Sequence, residues 1–548
     1  MQAADFVKMY DGLEATKGNL NIQFEDIQKF VTPNDPTVIG RNNTPGQRHH
    51  VGRYDSTAIK DADLLAATLH GTMTPSTTAW IEFRTKDEEL NELDDVKEWL
   101  DDAASKTLKA LNASNFKTQI YRCYRNLVGY ATTSLLTTEK FDENGDHDGV
   151  SFSSFAIREY NFTVDAEGNL KSFYRKFKLT ASQARDKFSG MAGFKSLGTK
   201  IQDALESKKP EDQNKKFGIL HIIYPREHFG EGKSNLVNKP VVSRYVACDD
   251  KHDISVGGFD EMPVTVARWD VAEDDMGWGR GPGWVALPEI KTLNRNKELA
   301  LKGFAKDVSP PLIVPHKGVI GGVKTGPNAT TFYNAAKTHG QKPEYLHSGT
   351  RWDVNENREA NLIRQIDEIF LVDKLQLPQD QDMTATEVTV RFDLLQRLLG
   401  PTFFRITKEL LDNPVTRTFN MLLRAGKLKD LPKSLEGLAE LEIVYIGPLA
   451  KAQKQDEVNS VRTIIQEAGA MAQVTQDPSI LDKIDFDQAI DLLADQGGVP
   501  AKVMRDLDDV EAMRENRNAQ IQEQQQIDQL QQAGQIEATA AQAENEAA

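Results

Sequence analysis

Cysteine is nearly absent from this chain: Cys123 and Cys248 are the two in 548 residues. So sparse a supply excludes a disulfide framework and points to synthesis in a reducing compartment, with both thiols expected in the interior. Long apolar runs are missing as well. No uninterrupted apolar stretch reaches the about 18 residues that a membrane-crossing helix needs. The opening segment MQAADFVKMYDGLEATKG also lacks a basic stretch followed by an apolar one. Neither an integral membrane protein nor a secreted precursor is expected. Positive charge is the third shortage. The 66 Lys and Arg face 82 Asp and Glu, a formal net charge of −16, which disfavours general long-range attraction to nucleic acid or anionic membranes. A conduit remains compatible with it, because a polyanion slides more freely past an acidic or neutral lining than past strong salt-releasing contacts.

Recognisable catalytic constellations are lacking too. Gly232, Lys233 and Ser234 suggest a phosphate loop, but Glu227 occupies the position where that loop requires glycine, and its carboxylate would oppose a phosphate. Asp142, Asn144 and Asp146 read like the first half of a calcium loop. His147 then stands where the turn glycine belongs and Ser153 where the bidentate carboxylate belongs, so a solvated hairpin tip is expected instead. The ten histidines form no HExxH or Cys/His cluster; His49 and His50 are adjacent in a polar loop. There is no GxSxG elbow. No catalytic, cofactor-binding or metal-binding residue is assigned and no cofactor is expected. A two-metal carboxylate site built from distant residues stays open, since carboxylates are abundant.

What is present suffices for packed cores: 39% of residues are hydrophobic, with six tryptophans and 24 phenylalanines. At this length roughly three to five structural segments are expected. Helical spacing marks residues 1 to about 40 (Phe6, Val7, Tyr10, Leu13), Ser56–Leu69, Asp94–Leu111 and Phe116–Tyr130. A strand is expected through Trp80, Ile81 and Phe83. Further strands read as Leu135–Thr138, Ser153–Tyr160, Leu170–Phe177, Ile219–Tyr224 and Val241–Val246, with a hairpin turn in VDAEGNL. Ser182–Lys209 reads as helical and KKPEDQNKK as a solvated loop. The fold class is therefore α+β, mainly helical, with a small antiparallel or mixed sheet inserted among helices.

The chain is organised around Leu287–Leu423. A helix over about 287–307 precedes a segment with Pro310, Pro311, Pro315, Gly318, Gly321, Gly322 and Gly326, which excludes a helix and points to a small β-containing tip. A second helix, about Asn355–Lys374, returns with Leu362, Ile363, Ile366, Ile369 and Phe370 on one side. Helix, tip and helix make a stalk with a head. Lys317, Lys324 and Lys337 with His316 give that head a mild positive bias. Next come Leu375, Gln376, Leu377, Pro378, Gln379, Asp380, Gln381 and Asp382, with no Lys or Arg between Gln376 and Glu387. Thr384 and Glu387 have capping-box spacing. The long apolar helix that follows is expected to kink or break at Gly400-Pro401 and Asn413-Pro414. LEIVYIG reads as a strand, 448 to about 520 as helical, and the Gln- and Ala-rich end as an exposed helix, a helix in an oligomer or disordered chain.

Four stretches in this order carry a resemblance: RYDSTAIKDADLLAATLHGTMTPSTTAWIEF; ARWDVAEDDMGWGRGPGWVALPEIKTLNR; the helices of 355–423; and YIGPLAKAQKQDEVNSV with DPSILDKIDFDQAI and GGVPAKVMR. Over about residues 45–515 the chain resembles the portal proteins, or head-to-tail connectors, of short-tailed double-stranded DNA bacteriophages. The resemblance implies a ring, normally of twelve subunits, at a unique capsid vertex of the virion, made in the host bacterial cytoplasm. Double-stranded DNA would be packaged and ejected through its axial channel. The implied partners are a terminase, major capsid and scaffold proteins, a tail adaptor, and internal core or ejection proteins; no membrane is implied and no enzymatic role. In the family's terms 1–280 would form the wing with its inserted sheet, 281–307 the first stem helix, 308–354 the clip and 355–374 the second stem helix. Residues 375–384 would be the tunnel loop, 385–445 the kinked wing helix and strand, 446–519 the crown, and 520–548 a barrel helix or disordered tail. Lys374, Arg391, His316, Lys317, Lys324 and Lys337 are the candidate contacts to DNA or partner proteins. Two other readings are kept: a metal-dependent DNA-processing enzyme, which needs convergent carboxylates, and a capsid or scaffold protein of another kind.

Overall fold

A computed structural model describes residues 2–33, 52–76, 79–91, 93–142, 145–191, 193–207, 209–226, 239–271, 277–316, 319–325, 330–346, 352–375, 399–435, 441–445 and 461–471, with single positions and short pieces between 484 and 520. The chain divides into two compact units, residues 1–78 with 107–427 and residues 79–106 with 428–548.

In the first unit, α1 (Ala3–Thr16) and α2 (Gly18–Phe30) follow the apolar spacing of the sequence, burying Phe6, Val7 and Tyr10 from one and Phe24 and Ile27 from the other. Next along the chain in this unit is α3 (Thr57–Met73), which packs on α6 (Phe116–Tyr130). Ile120, Cys123, Tyr124, Leu127 and Val128 form the buried face of α6, while Lys117, Thr118 and Arg122 remain exposed. It stops at Ala131, whose φ of 59° is left-handed, a conformation that ends α-helices.

Among the described residues that follow, eight strands form two antiparallel sheets. β2 (Thr132–Phe141) lies between β3 (His147–Ser154) and β9 (Val264–Arg268). The other sheet runs in sequence order: β4 (Tyr160–Val164), β5 (Leu170–Thr180), β6 (Lys216–Pro225), β7 (Val241–Ala247) and β8 (His252–Phe259). Side chains alternate across a strand, and β6 is covered on both faces. Phe217 and Ile219 pack with α7 (Ala181–Phe188) and α8 (Thr199–Glu206), whereas Leu220 and Ile222 pack with α1. The turn in VDAEGNL joins β4 to β5, with Gly168 at φ 85°.

Three expectations need correction here. The single strand expected over 153–160 is the end of β3, a turn at 155–159 and the start of β4; Phe155, Ala156 and Ile157 are buried in succession, which a strand with one buried face does not allow. The helix expected over 182–209 is split into α7 and α8, because Gly193 (φ 77°) and Gly198 (φ 87°) between them take the left-handed backbone that α-helices exclude. Within the loop expected after it, Pro210–Gln213 forms the single-turn helix α9, with proline first, where its missing N–H costs nothing.

β10 (Asp270–Val271) and β11 (Gly279–Arg280) form a short ladder leading to α10 (Pro282–Val285) and α11 (Leu287–Val308). The glycines of GWGRGPG act by close approach. A Cβ on Gly279 would stand 2.1 Å from the Ala131 carbonyl oxygen and one on Gly283 2.4 Å from that of Gly129, so both allow this segment to lie against the end of α6.

In the second unit β1 (Ile81–Thr85) pairs antiparallel with β16 (Leu441–Tyr445), Phe83 opposite Ile443. α4 (Glu88–Asn91) follows, then α5 (Asp94–Ala113), whose residues up to Lys106 belong to this unit. The indole N–H of Trp99 donates to the Lys429 carbonyl at 3.1 Å. Residues 461–471 are helical. No helix among the described residues is long and apolar enough to cross a membrane.

Candidate functional site

The stalk expected from the sequence is present. Its first helix, α11, buries Leu287, Ile290, Leu293 and Asn294; beyond Asn294 none of its residues is buried. Leu299, Leu301, Phe304 and Val308 are 51–67% exposed, although they are large and apolar. At 1.5 Å per residue this outer part runs roughly 20 Å. The second helix, α12 (Trp352–Ile369), packs against α11 and is likewise buried at its base, through Ile366 and Phe370. It ends earlier than the expected Lys374. Leu371 has a φ of 59°, which stops the helix, and Val372–Leu375 restarts as the single turn α13.

Between the two helices the head is β-containing, as expected. β12 (Leu312–Ile313) pairs with β15 (Glu344–Tyr345), and β13 (Val319–Ile320) with β14 (Phe332–Tyr333). Gly321 and Gly322 leave β13 at φ 75° and 79°. Ile313, Ile320, Phe332, Tyr345 and Leu346 are all at least half exposed. His316, Lys324 and Lys337 lie on the surface of this head; Lys317 falls outside the described residues. His339 and Lys342 are also exposed there and belong with that set. Their signal was available: residues 308–354 hold five Lys and Arg against two Asp and Glu, the reverse of the whole chain's balance.

The base is tied down by specific polar contacts. Asn294 donates to the Gly52 carbonyl at 3.0 Å and accepts from the Tyr54 N–H at 2.7 Å, pinning α11 to residues 52–54. Lys297 pairs with Asp55 and Lys291 with Asp26 of α2. Behind the base, Lys17 is 2% exposed. Its ammonium donates to the carbonyls of Ile157 (2.6 Å) and Tyr160 (2.8 Å) and stands 4.3 Å from the centre of the Trp278 ring. Burial pushes its pKa down to about 7, while the carbonyls and the aromatic face favour the charged form.

Residues 399–411 are helical and lead into α14 (Asp412–Arg424), which is held on β9 and β2. Arg268 grips Glu409 with Nη2 at 2.7 Å from Oε1 and Nε at 3.1 Å from Oε2, a bidentate, largely buried pair. Arg417 donates to the carbonyls of Thr137 and Glu261, at 3.2 and 2.9 Å; burial lowers its pKa to about 10. The helix expected to kink or break at Asn413-Pro414 stays helical through Pro414. Residues 407–411 form a π turn just before it, with the Asp412 N–H reaching back five residues to the Thr407 carbonyl. That wider turn accommodates a proline ring that would otherwise strike the carbonyl four residues earlier.

Of the expected channel residues, Leu375 ends α13, and Lys374 forms an ion pair with its neighbour Asp373. Gln376, Leu377, Pro378, Gln379, Asp380, Gln381, Asp382 and Arg391 lie outside the described residues, as do the Thr384–Glu387 capping box, the Gly232–Ser234 segment and His49-His50. At the 142–148 hairpin the Asp142 carboxylate accepts from the Asp146 N–H at 2.8 Å. Among the described residues no three His, Cys, Asp or Glu side chains converge as a metal site requires.

Residues 3–504 match the family model for the bacteriophage head to tail connecting protein. The chain is 25% identical over 507 residues to the portal protein of Salmonella phage epsilon15, covering 91% of this chain and 88% of that one. It is also 25% identical over 510 residues to the probable portal protein of Bordetella phage BPP-1, covering 92% and 89%. Among solved structures, a chain from the virion of a native gene transfer agent particle aligns at 11% identity and a TM-score of 0.38, over 78% of this chain and 92% of that chain.

Proposed function

The chain belongs to the family of bacteriophage head to tail connecting proteins, and from that premise we propose that it forms the portal ring of its virion. A portal or connector role in phage virion assembly comes with the family and with two portal relatives matched over about nine-tenths of the chain. In the proposal, copies of the chain, most simply twelve, close around an axial channel at the unique capsid vertex of a short-tailed phage. Double-stranded DNA is packaged inward through that channel and ejected outward. Residues 281–307 and 355–374 are the stem helices and 308–354 the clip, which docks first the terminase and then the tail adaptor. Residues 375–384 are the tunnel loop, the N-terminal part to 280 and the helix ending in α14 the wing, and 446–519 the crown.

The observation that carries this reading is the outer part of α11. Four large apolar side chains stand open to solvent along roughly 20 Å of helix, where burial contributes about 25 cal/mol per Å² of apolar surface. Repetition about an axis lets each copy cover that surface on its neighbour. The chemistry of 376–387 adds support: Gln, Asp and Pro without Lys or Arg offer DNA contacts that do not hold it fast. The cationic head against an acidic chain suits an acidic partner or the DNA itself. Averaged electron-microscope images of the purified protein, viewed down the particle axis, test the proposal. A closed ring with a central hole is expected; a monomer, a filament or a solid shell overturns it.

A further inference from the structure

Residues 170–226, from β5 through α7, α8 and α9 to β6, carry charge of the opposite sign to the rest of the chain. They hold 13 Lys and Arg against five Asp and Glu, in a molecule whose net charge is −16. Some of this charge is answered locally, Arg175 by Glu159 at 3.0 Å and Lys195 by Asp253 at 3.4 Å. Lys178, Lys187, Lys215 and Lys216 are exposed and pair with no carboxylate among the described residues.

The sheet register sets two of these cations against each other. Lys178 of β5 stands opposite Gly218, and Lys216 of β6 opposite Thr180. Both therefore leave the same face of adjacent strands as a diagonal pair, about 7–8 Å apart at the backbone. They repel each other, and the glycine opposite Lys178 offers no side chain to neutralise it. Toward α7, Lys187 lies over the Phe177 ring at 4.8 Å and Lys215 over that of Phe217 at 5.8 Å, contacts that hold these ammonium groups in place at the surface. Their field reaches inward as well: after burial, Lys187 and Arg175 lower the pKa of the enclosed His221.

A surface whose cations are fixed, mutually repelling and unanswered fits an acidic partner. The chain itself supplies one. Residues 87–102, over α4 and the start of α5, hold nine Asp and Glu and one Lys, and Asp87, Glu89, Asp95, Glu98 and Asp101 are exposed. Lys429 and Lys106 answer Glu98 and Asp102, at 3.0 and 2.8 Å, and the segment stays strongly negative. DNA is anionic too, but an acidic chain repels it at long range, whereas every copy of the chain brings one acidic segment for each cationic face.

We propose that the cationic face of β5, α7 and β6 docks on the acidic α4–α5 segment of a second copy of the chain. The contact is head-to-tail: each copy gives one face and receives the other, which joins copies in series. It rests on the copies associating, as the portal reading has them do, and not on a channel or on DNA.

Two full-length variants test it, with assembly read by sedimentation. Lys178→Glu with Lys216→Glu makes the cationic face acidic; Glu89→Lys with Asp101→Lys makes the acidic segment basic. Each variant alone is expected to need about a hundredfold more protein than wild type for half-assembly, because like charges then meet at every contact. Mixed in equal amounts the two are expected to assemble again, since each altered face meets its altered complement. The difference between mixed and unmixed samples should vanish as salt rises to about 1 M, where screening acts within about 3 Å. Should a charge reversal fail to fold, Lys178→Gln with Lys216→Gln is expected to weaken assembly about tenfold by removing the attraction alone. Assembly unchanged in the variants, or no recovery on mixing, overturns the proposal. So does a cationic-face variant that assembles as wild type does yet loses DNA, which assigns the face to nucleic acid. Recovery on mixing into particles that are not rings removes the portal reading and leaves the docking; rings from each variant alone remove the docking and leave the portal reading.

Discussion

The body of the first unit and the outer part of its stalk obey opposite rules. In the body, three buried cations are answered within the same chain: Lys17 by two carbonyls and an indole, Arg268 by Glu409, Arg417 by two carbonyls. In the stalk, apolar groups remain outside, and nothing on α11 beyond Asn294 is buried. The buried charges of the body thus find their partners within one chain, whereas the apolar surface of the stalk is left open. Its composition makes sense when other copies complete it.

The comparison breaks most sharply if the outer stalk turns out to be inert. Leu301→Asp with Val308→Asp is expected to abolish ring assembly, read as a shift from ring to monomer in sedimentation, while leaving the circular dichroism and melting of the monomer unchanged. Loss of the fold would place these residues in the monomer's own core and erase the contrast. Arg268→Ala is the converse experiment. Leaving Glu409 buried without its partner is expected to cost about 3 kcal/mol in denaturant unfolding, and an effect below about 1 kcal/mol would mean that the pair is as weak as a surface bridge.

A smaller loss, roughly 2 kcal/mol, is expected for Lys17→Met, which leaves two buried carbonyls without their donor. Its pH dependence is a sharper test. Lys17 has a folded pKa near 7, below that of a free lysine, so the unfolded chain binds the extra proton and wild-type stability should rise between about pH 7 and 10. The Met variant should lack that rise, and its deficit should grow with pH. A parallel pair of profiles would mean that the carbonyls and Trp278 keep the ammonium charged throughout. The smallest effect on folding is expected from replacing 376–382 with a shorter Gly/Ser link: rings should form as before while DNA packaging or retention falls. Failure to assemble would assign that segment to the ring contact instead of the channel.

Much of this was legible in the sequence because it is local. The 3.6-residue periodicity of α1, α3, α6 and α11, the prolines and glycines of the stalk head, and the turn in VDAEGNL each declare themselves within a few residues. The short supply of cysteine and cation bounded the chemistry before any fold was known. What the sequence misplaced were boundaries set by distant partners or backbone strain. β3 and β4 separate at Phe155–Ile157 because three neighbours are buried in succession, α12 ends at a left-handed Leu371, and a π turn carries the chain past Pro414.

Pairings far apart in the chain were beyond it altogether. β1 with β16, the cage around Lys17, and Arg268 with Glu409 join segments whose individual compositions are unremarkable. Local sequence by itself determined which segments are helix, strand or turn, and that one stalk carries more apolar surface than it can hide. Only the tertiary structure decided which surface that is and which lysine is enclosed by carbonyls and an indole. Burial and proximity are properties of the packed chain, and neither is written in the spacing of residues.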